Sequence, residues 1–462
     1  MQAYDFIVIG SGPAGQRAAI QAAKLGKRTA IVDRQSMLGG VSVHTGTIPS
    51  KTLREAALYL SGWDQRGLYG QNYRLKNNLT IDDLMQRLHI TLQHETDVIQ
   101  NQLSRNNVDI IEGTASFVDD HTISVEHVDG GVEQYKGDYF LIAVGSRPVR
   151  PEGIPFDDEH VFDSDGILRI KRMPTSLVVV GAGVIGIEYA SIFSTLDTKV
   201  TVLDGRDTML GFLDSEVVDE LTHSLRDRGV SLRLGENVDR IENCDNDHVL
   251  VTTKSGKRLS ADMVLFAAGR IGSTWALQPD KAGIEVDDRR LISVNENFQT
   301  SVPHIYAAGD VIGFPSLAST SMEQGRLAAS HAFNGADNHM AKNFPFGIYA
   351  VPEISMVGAT EQELRKNNVP YEIGVARLRE TARGQIMGLS EGILKMLFSL
   401  EDKKVLGIHI IGEGATELIH IGQAALVLDG TLDYFIDNVF NYPTLAEAYK
   451  VAALDAWNKM NV

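Results

Sequence analysis

Apolar residues fall into short β-branched runs separated by longer segments of helical periodicity. Two such runs, residues 5–9 and 177–180, are each followed directly by a glycine-rich turn and a helix-like segment. Each unit then ends in a second apolar run, at residues 29–32 and 200–203. This strand–turn–helix–strand order is typical of parallel α/β sheets. The pattern therefore predicts an α/β protein with two Rossmann-like units that begin about 170 residues apart.

Further apolar runs predict the remaining architecture. Residues 140–144 and 263–267 are typical of buried strands, and each run leads into a glycine-containing loop. From about residue 345 the pattern changes, with strands predicted at 394–398 and 405–411 and helices at about 416–428 and 444–458. We therefore expect an α+β third domain. His409 and His420 lie in these apolar patterns and are expected to be core or interface residues.

The net charge, the lengths of the apolar runs and the cysteine content exclude several kinds of partner and site. The formal net charge of −17 argues against nucleic acid or an anionic membrane as a partner. Neither a signal peptide nor an apolar run of the ~18 residues that cross a bilayer is visible, so we expect no membrane insertion and a cytoplasmic location. The one cysteine, Cys244, lies in a polar stretch predicted to be a loop. A single thiol excludes an intrachain disulfide, and no His/Asp/Glu spacing predicts a metal site.

The first glycine turn has the spacing of a dinucleotide-binding motif. Gly10 permits a tight turn, Gly12 lets the backbone approach a pyrophosphate, and Gly15 lets the helix pack on the strand. The helix N-terminus offers N–H groups and partial positive charge to phosphates. Asp33 follows Gly15 by 18 residues, at the end of the next strand, where it can accept hydrogen bonds from a ribose. The turn therefore predicts an adenine dinucleotide.

The second turn repeats the first at Gly181, Gly183 and Gly186, and Asp204 follows at the same spacing of 18 residues. Two dinucleotides in one chain indicate electron transfer between a nicotinamide and a flavin. A carboxylate near the ribose repels a 2′-phosphate, so Asp204 favours NAD(H). Arg206 can instead meet a 2′-phosphate, which leaves NADP(H) open, or it is an ordinary solvated charge.

A third motif, Gly-Gly-Val-Ser-Val-His-Thr-Gly-Thr-Ile-Pro-Ser-Lys at residues 39–51, carries a resemblance to a known family. It resembles the redox-active segment of the flavoprotein disulfide reductases, in which two cysteines occupy the positions of Ser42 and Thr47. A hydroxyl has no accessible redox couple, so disulfide reduction is excluded. His44 lies in the loop expected near the flavin, where it contacts the ring or an acceptor, or packs and hydrogen-bonds locally.

The resemblance covers essentially the whole chain and implies FAD, a nicotinamide dinucleotide and a homodimer. Lys51 and Glu188 match the family's ion pair beside flavin N5, where an ammonium stabilises the reduced ring. Together with the first turn, the residues expected to hold FAD are Gly10, Gly12, Pro13, Ala14, Gly15, Asp33, Arg34, Gly40, Lys51, Gly145, Gly309 and Asp310. Those expected to hold the nicotinamide dinucleotide are Gly181, Gly183, Val184, Ile185, Gly186, Glu188, Asp204, Arg206, Gly269 and Arg270.

The C-terminal segment at residues 441–447 resembles the family's His-Pro-Thr-x-x-Glu segment. Tyr442 stands at the position of the acid/base histidine, whereas Glu447 is retained. Loss of both cysteines and this histidine is coherent, because all three serve the same thiol step. The catalytic residues implied are Lys51, Glu188, Thr47, Tyr442 and Glu447. Segments 46–51, 309–319 and 441–449 are similar to the subgroup of soluble, FAD-dependent pyridine nucleotide transhydrogenases, which usually keeps the first cysteine.

These observations predict FAD-binding segments at 1–147 and 271–342, an NAD(P)-binding domain at 148–270 and a dimerisation domain at 343–462. The leading hypothesis is hydride transfer from NAD(P)H to FAD and then to NAD(P)+ at the same site. One alternative is a diaphorase-type reductase that passes electrons to a quinone, dioxygen or a dye. Another is a flavin-binding redox sensor without turnover, although the complete second turn argues against it.

Overall fold

The computed structural model describes residues 1–34, 36–70, 72–244, 248–335 and 339–460. Its strands are, in chain order, β1 (Gln2–Ile9), β2 (Thr29–Asp33), β3 (Asp109–Glu112), β4 (Thr114–Asp119), β5 (Thr122–Glu126), β6 (Val132–Ile142), β7 (Ser146–Pro148), β8 (Val161–Asp163), β9 (Ser176–Val180), β10 (Lys199–Asp204), β11 (Ser231–Leu234), β12 (Val238–Cys244), β13 (His248–Thr253), β14 (Arg258–Ala261), β15 (Met263–Phe266), β16 (Arg270–Gly272), β17 (Ile305–Ala307), β18 (Phe346–Ile348), β19 (Ile354–Gly358), β20 (Tyr371–Arg377), β21 (Ile393–Ser399) and β22 (Val405–Ile411). Its α-helices are α1 (Pro13–Lys24), α2 (Val41–His44), α3 (Thr47–Ser61), α4 (Arg66–Tyr69), α5 (Ile81–Ser104), α6 (Val184–Thr195), α7 (Ser215–Asp227), α8 (Ala318–Ala332), α9 (Glu361–Lys366), α10 (Ala382–Met387), α11 (Ala415–Val427), α12 (Leu432–Asp437) and α13 (Glu447–Met460).

Internal contacts divide the chain into two units. The first unit comprises Met1–Thr52, Met85–Val149 and Gly269–Ala341. The second comprises Leu53–Leu84, Arg150–Ala268 and Lys342–Val462. Each unit is made of segments distant in the sequence, so each is held together by long-range pairing.

The first unit is built on a seven-stranded sheet in the order β3-β2-β1-β6-β5-β4, with β17 also paired to β6. β1, β2, β3, β6 and β17 pair in parallel, whereas β4 and β5 form an antiparallel hairpin beside β6. α1 packs closely on α8, since a Cβ on Gly325 would lie 2.0 Å from the carbonyl oxygen of Ala14. This close contact fixes α1, whose N-terminus faces the first glycine turn.

The second unit contains a parallel sheet in the order β11-β10-β9-β15-β8 and an antiparallel sheet of β12, β13 and β14. β9 is buried from Leu177 to Val180, which explains its continuous apolar run. A further antiparallel sheet, β18-β19-β22-β21-β20, packs against α11 and α13. Its core includes Phe398, Ile408 and Tyr449, all fully buried.

The predicted fold class is confirmed: two Rossmann-like sheets and an α+β C-terminal region are present. Most predicted runs are strands, although β6 ends at Ile142 rather than at residue 144. The prediction of a loop at Cys244 was wrong, because this exposed residue ends β12 and pairs with His248 in the antiparallel β12–β13 ladder. His409 is buried as expected, whereas His420 is exposed and is not a core residue. Among the described residues, no helix is both long and apolar enough to span a bilayer.

Candidate dinucleotide and active sites

The first glycine turn leaves space at the N-terminus of α1. Gly10 has φ of 105°, a backbone conformation that side chains disfavour, and a Cβ there would lie 2.3 Å from the Ala143 carbonyl oxygen. A Cβ on Gly15 would lie 1.9 Å from the Gly10 carbonyl oxygen, so the helix packs directly on the turn. By contrast, no atom lies within 4 Å of a Cβ built on Gly12. The open space beside the free helix N–H groups, with Pro13 and Ala14 in the first turn of α1, fits a pyrophosphate.

Asp33 at the end of β2 is held by the turn itself. Its Oδ2 accepts hydrogen bonds from the Ser11 backbone N–H at 2.6 Å and from the Ser11 hydroxyl at 2.5 Å. Its Oδ1 accepts one from the Arg34 N–H at 2.7 Å. The Ser11 oxygen also accepts a hydrogen bond from the Gly39 N–H at 3.0 Å. Ser11, which the sequence analysis did not single out, therefore ties three loops of the predicted FAD site together.

A second group of residues in the same unit brings Asp310 beside residues 145 and 146. The Ser146 hydroxyl donates to Asp310 Oδ2 at 2.8 Å and accepts from Arg270 Nε at 2.9 Å. Arg270 Nη2 also donates to the Ser146 carbonyl oxygen at 2.8 Å. Next to Asp310, the Gly309 N–H donates to Gln324 Oε1 at 2.9 Å. Ser146 and Gln324 were missed, because their partners are 164 and 15 residues away in the chain.

Gly40, Gly145 and Gly269 also lie in this unit, each with positive φ. A Cβ on Gly40 would lie 2.9 Å from Gly12 Cα, so the loop that carries it touches the first turn. The Gly269 carbonyl oxygen accepts a hydrogen bond from the Val149 N–H at 3.0 Å, beside the β7–β16 ladder. Gly269 and Arg270, expected at the nicotinamide, thus fall in the unit that holds the first turn.

The segment that resembles a redox-active site is helical and carries hydroxyls. The Ser42 hydroxyl, on α2, donates to the Gly39 carbonyl oxygen at 2.9 Å. Thr47 is the exposed first residue of α3, and Lys51 Nζ donates to the Ser50 hydroxyl at 3.3 Å one turn later. His44 Nε2 lies 2.9 Å from the Leu38 carbonyl oxygen, which gives this histidine the local hydrogen bond that was one of its two predicted roles.

The second glycine turn has nearly the same geometry as the first. Gly181 has φ of 113°, and a Cβ there would lie 2.5 Å from the Ala267 carbonyl oxygen. A Cβ on Gly186 would lie 1.9 Å from the Gly181 carbonyl oxygen, whereas the space around Gly183 is open to at least 4 Å. Val184 and Ile185 begin α6 at this opening. The arrangement fits a second pyrophosphate.

Asp204, at the end of β10, forms a two-pronged ion pair with Arg206. Arg206 Nε and Nη2 donate to the two carboxylate oxygens at 3.0 and 2.7 Å. The Ala182 N–H donates to Oδ2 at 2.6 Å. Burial acts to raise the pKa of the Asp204 carboxyl, but these hydrogen bonds outweigh burial and hold the pKa below its usual value of 3.8. The carboxylate is buried while the arginine side chain is 61% exposed, so solvent reaches only the cation.

The remaining predicted catalytic residues lie in the second unit. Glu188, on α6, is 3% exposed and accepts a hydrogen bond from the Tyr349 N–H at 2.9 Å. Tyr442 is 72% exposed. Glu447 begins α13, and its Oε2 is buried without a hydrogen-bond partner among the residues that the structure describes. Lys51 belongs to the first unit, and its pairing with Glu188 stays a prediction.

We call the first glycine turn with Asp33 the first cradle, and the second glycine turn with Asp204 the second cradle. Two such dinucleotide cradles and a C-terminal antiparallel sheet define a class of flavin- and nicotinamide-dependent oxidoreductases. The family model for the pyridine nucleotide-disulphide oxidoreductases matches residues 4–325, and the model for the dimerisation domain of the same family matches residues 344–453. The chain belongs to this family.

Individual proteins of this family are similar to the chain over nearly its whole length. The chain is 56% identical to a soluble pyridine nucleotide transhydrogenase from Mycobacterium tuberculosis, over 100% of this chain and 98% of that protein. It is 45% identical to a protein of the same name from Salmonella paratyphi B, over 99% of this chain and 98% of that protein. Among solved structures it resembles the HOCl-induced flavoprotein disulfide reductase RclA from Escherichia coli, with a TM-score of 0.87, 27% identity and coverage of 98% and 99% of the two chains.

A further solved structure, LpdA from Mycobacterium tuberculosis, shares the fold with a TM-score of 0.90 at 24% identity, over 98% of this chain and 99% of LpdA. Together these matches confirm that the chain is an FAD-dependent oxidoreductase of nicotinamide dinucleotides. The match to the family's dimerisation domain supports a homodimer. The cysteine pair that gives the family its name is absent, since Ser42 and Thr47 occupy those positions.

Proposed function

We propose that this protein is a transhydrogenase, which moves hydride from NADH or NADPH through FAD to NAD+ or NADP+. The observation that carries the proposal is a pair of matching dinucleotide cradles in a chain with hydroxyls at positions 42 and 47. With no sulfur there, a second nicotinamide is an acceptor that the chain is already built to bind. The names of the relatives at 56% and 45% identity support the same activity.

The first cradle would hold FAD. Gly12 leaves room for the pyrophosphate, Asp33 would accept from the adenosine ribose, and Asp310 would hold the ribityl chain. Bound FAD would supply a hydride acceptor that keeps the electron pair until the second nucleotide arrives. We assign Lys51 to electrostatic stabilisation of the reduced ring and Glu188 to the orientation of Lys51.

The second cradle would bind donor and acceptor in turn. Gly183 leaves room for the pyrophosphate, and the negative charge of Asp204 favours a free 2′-hydroxyl, so NAD(H) is the preferred nucleotide. Arg206 provides a route to NADP(H), because its exposed guanidinium can leave Asp204 and bind a 2′-phosphate. One pocket would then serve both nucleotides, as an exchange between two nicotinamides requires.

Three further residues, Thr47, Tyr442 and Glu447, would shape the site without carrying electrons. Thr47 would occupy the flavin-side position of the absent thiol without taking up electrons. Tyr442 and Glu447 would complete the site at the dimer interface, since the exposed tyrosine is accessible to a second chain and the buried Glu447 Oε2 has no hydrogen-bond partner among the described residues. We assign residues 1–147 and 271–342 to FAD, 148–270 to the nicotinamide nucleotide, 343–462 to dimerisation, and the protein to the cytoplasm.

The test is an anaerobic assay of the FAD-loaded protein with NADPH and the thio analogue of NAD+. Rapid reduction of the thionicotinamide is the expected result, since both nucleotides use one pocket. Turnover that appears only after a quinone or oxygen is added would replace the proposal with a diaphorase-type reductase. Bleaching of the flavin without any turnover would replace it with a redox sensor.

A Gly183→Val variant is the matched control for this assay. It should keep the yellow chromophore, because its change lies in the second cradle, and lose thionicotinamide reduction. Activity that persists in this variant would show that the hydride does not pass through the second cradle.

A further inference from the structure

Two histidines from distant parts of the chain meet at one edge of strand β6. His121 precedes β5 and His304 precedes β17, and both of these strands pair with the same side of β6. The Gly137 N–H donates to the His121 carbonyl oxygen, and the Phe140 N–H donates to the His304 carbonyl oxygen, each at 3.0 Å. The two imidazole rings stack with centroids 4.0 Å apart and planes 4° apart. The main chain therefore holds both rings side by side.

The hydrogen bonds of the two rings determine which nitrogens are free to bind a ligand. His121 Nδ1 lies 2.9 Å from the Gly137 carbonyl oxygen, and His304 Nε2 lies 2.8 Å from the Asp120 carbonyl oxygen. A carbonyl oxygen can only accept, so each of these nitrogens carries the proton. The other nitrogen of each neutral ring, Nε2 of His121 and Nδ1 of His304, then presents a lone pair. Metal-binding histidines are oriented in this way, with the second ring nitrogen donating to a backbone carbonyl.

Asp120 supplies a carboxylate at the same place. It is exposed, and each of Asp120, His121 and His304 offers a ligand atom within 4.8 Å of the others. The other such group within the described residues, Asp214, Glu216 and Glu361, surrounds the ammonium of Lys395 at 2.5 to 2.9 Å and already has its cation. No local pattern in the sequence indicates the histidine site, because His304 is 183 residues from His121.

We infer that Asp120, His121 and His304 form a binding site for a divalent transition metal ion, with Zn²⁺ as the best match. Two borderline imidazole nitrogens and one carboxylate oxygen form a ligand set of the kind that Zn²⁺ takes, with water in the fourth position. Parallel rings direct their lone pairs along parallel lines, so the rings must tilt toward each other to reach an ion at about 2.0–2.1 Å. The bound ion would join the β4–β5 hairpin to the start of β17 within the first unit.

The experiment titrates the FAD-loaded protein with Zn²⁺ by calorimetry and with Co²⁺ by visible absorption beyond the flavin band. All proteins carry Cys244→Ser, because an exposed thiol also binds these ions. We expect one ion per chain and a melting temperature that rises with Zn²⁺ concentration, since the ion binds only the folded state. His121→Asn and His304→Gln each remove a ligand while keeping an amide donor for the backbone carbonyl. Each should weaken binding by roughly tenfold or more.

His248→Gln is the matched control, because His248 is also exposed and its Nδ1 lies 3.4 Å from a carboxylate oxygen of Asp262, but it belongs to no group of three metal-ligand side chains within the part of the chain that the structure describes. Binding in this variant should equal that of the parent. Unchanged binding in both His121→Asn and His304→Gln would overturn the proposal, as would loss of binding in His248→Gln alone or no binding at all. Melting temperatures without metal would show whether each variant is folded.

Discussion

The two glycine cradles share a backbone but hold their carboxylates differently. In the first, Asp33 is bound by the backbone and the hydroxyl of Ser11, which is fully buried. In the second, Ala182 stands where Ser11 stands, and Asp204 is bound by its N–H and by the exposed guanidinium of Arg206. The hydroxyl that binds Asp33 is thus enclosed by the fold, although Asp33 itself is half-buried, whereas the arginine that binds Asp204 is 61% exposed and an incoming nucleotide can reach it.

This difference fits the two tasks that an exchange of hydride demands. A cofactor that stays bound is best served by a cradle whose polar groups are fixed before it binds, because little ordering remains to be done. A substrate that must leave after each turnover is better served by a pocket with a replaceable side chain. We therefore expect FAD to stay bound in the first cradle and the nicotinamide nucleotides to exchange in the second.

The largest expected effect comes from filling the two open spaces separately. Gly12→Val and Gly183→Val each place a Cβ where no heavy atom beyond the adjacent residues lies within 4 Å, so we expect both variants to fold. Gly12→Val should be purified without flavin and lose activity by about 100-fold or more, because FAD is misplaced or absent. Gly183→Val should keep flavin and lose reduction by NADH. Absorption spectra measure the flavin content of each variant, and NADH oxidation rates measure its activity. Loss of flavin from both variants would contradict the assignment of FAD to the first cradle alone.

The next effect concerns Lys51, which we place at the flavin beside the first cradle. Lys51→Met should keep FAD but slow flavin reduction by NADH about 100-fold, because a charge that stabilises the reduced ring is lost. Stopped-flow absorbance under anaerobic conditions measures the rate. Lys51→Arg, which keeps the charge, should recover part of it, and an unchanged rate in Lys51→Met would remove this residue from the chemistry.

A smaller effect is expected from the acid of the second cradle. Asp204→Asn removes the charge that repels a 2′-phosphate and frees Arg206, so the ratio of kcat/KM for NADPH to that for NADH should rise about tenfold. Asp33→Asn is the matched variant of the first cradle and should leave this ratio unchanged while weakening FAD retention. A ratio that moves equally in both variants would contradict the assignment of the cradles.

Ser11→Ala converts the first cradle into a copy of the second at this position. Asp33 would lose one donor, and we expect stability to fall by about 1–3 kcal/mol with faster release of FAD. Chemical unfolding and dialysis against FAD-free buffer measure these quantities. Ser194→Ala, which removes a buried hydroxyl bonded at 2.7 Å on α6, should lower stability without changing FAD release. Equal rates of FAD release in the two variants would show that Ser11 has no specific role in holding FAD.

The smallest effect is a dependence on pH. The folded pKa of Asp204 lies below 3.8, so its ionised form stabilises the protein above that pH and the contribution is lost as pH falls through the folded pKa. The difference in melting temperature between the parent and Asp204→Asn should therefore be constant near neutrality and narrow below about pH 4. A difference that is the same at every pH would show that the carboxylate has no such role.

Much of the fold could be predicted from local patterns. The spacing from Gly15 to Asp33 and from Gly186 to Asp204 identified both Rossmann-like sheets, because turn geometry depends on a few adjacent residues. Burial of His409 also followed from its apolar strand. The same reasoning placed Cys244 in a loop, since β12 is polar and largely exposed and therefore carries no apolar pattern.

The candidate site was predicted less completely, because its residues are held by hydrogen bonds to partners that are distant in the sequence. Nothing near Ser146 in the sequence indicates Asp310 or Arg270, which lie more than 120 residues further along the chain. His420 was expected in the core or at an interface on the basis of a helical apolar pattern. It is exposed beside Gln423, whose Oε1 lies 2.9 Å from His420 Nδ1, so the core role is ruled out. Periodicity identifies the face of a helix only to within a residue or two, so such errors are expected at the edge of a face.

The most direct measurement is an anaerobic titration of the FAD-loaded protein with NADH, followed by flavin absorbance. We expect complete bleaching by one equivalent of NADH per flavin, because hydroxyls at positions 42 and 47 accept no electrons. Consumption of a second equivalent would reveal another electron store behind the flavin, and a flavin that NADH leaves oxidised would contradict the transfer itself.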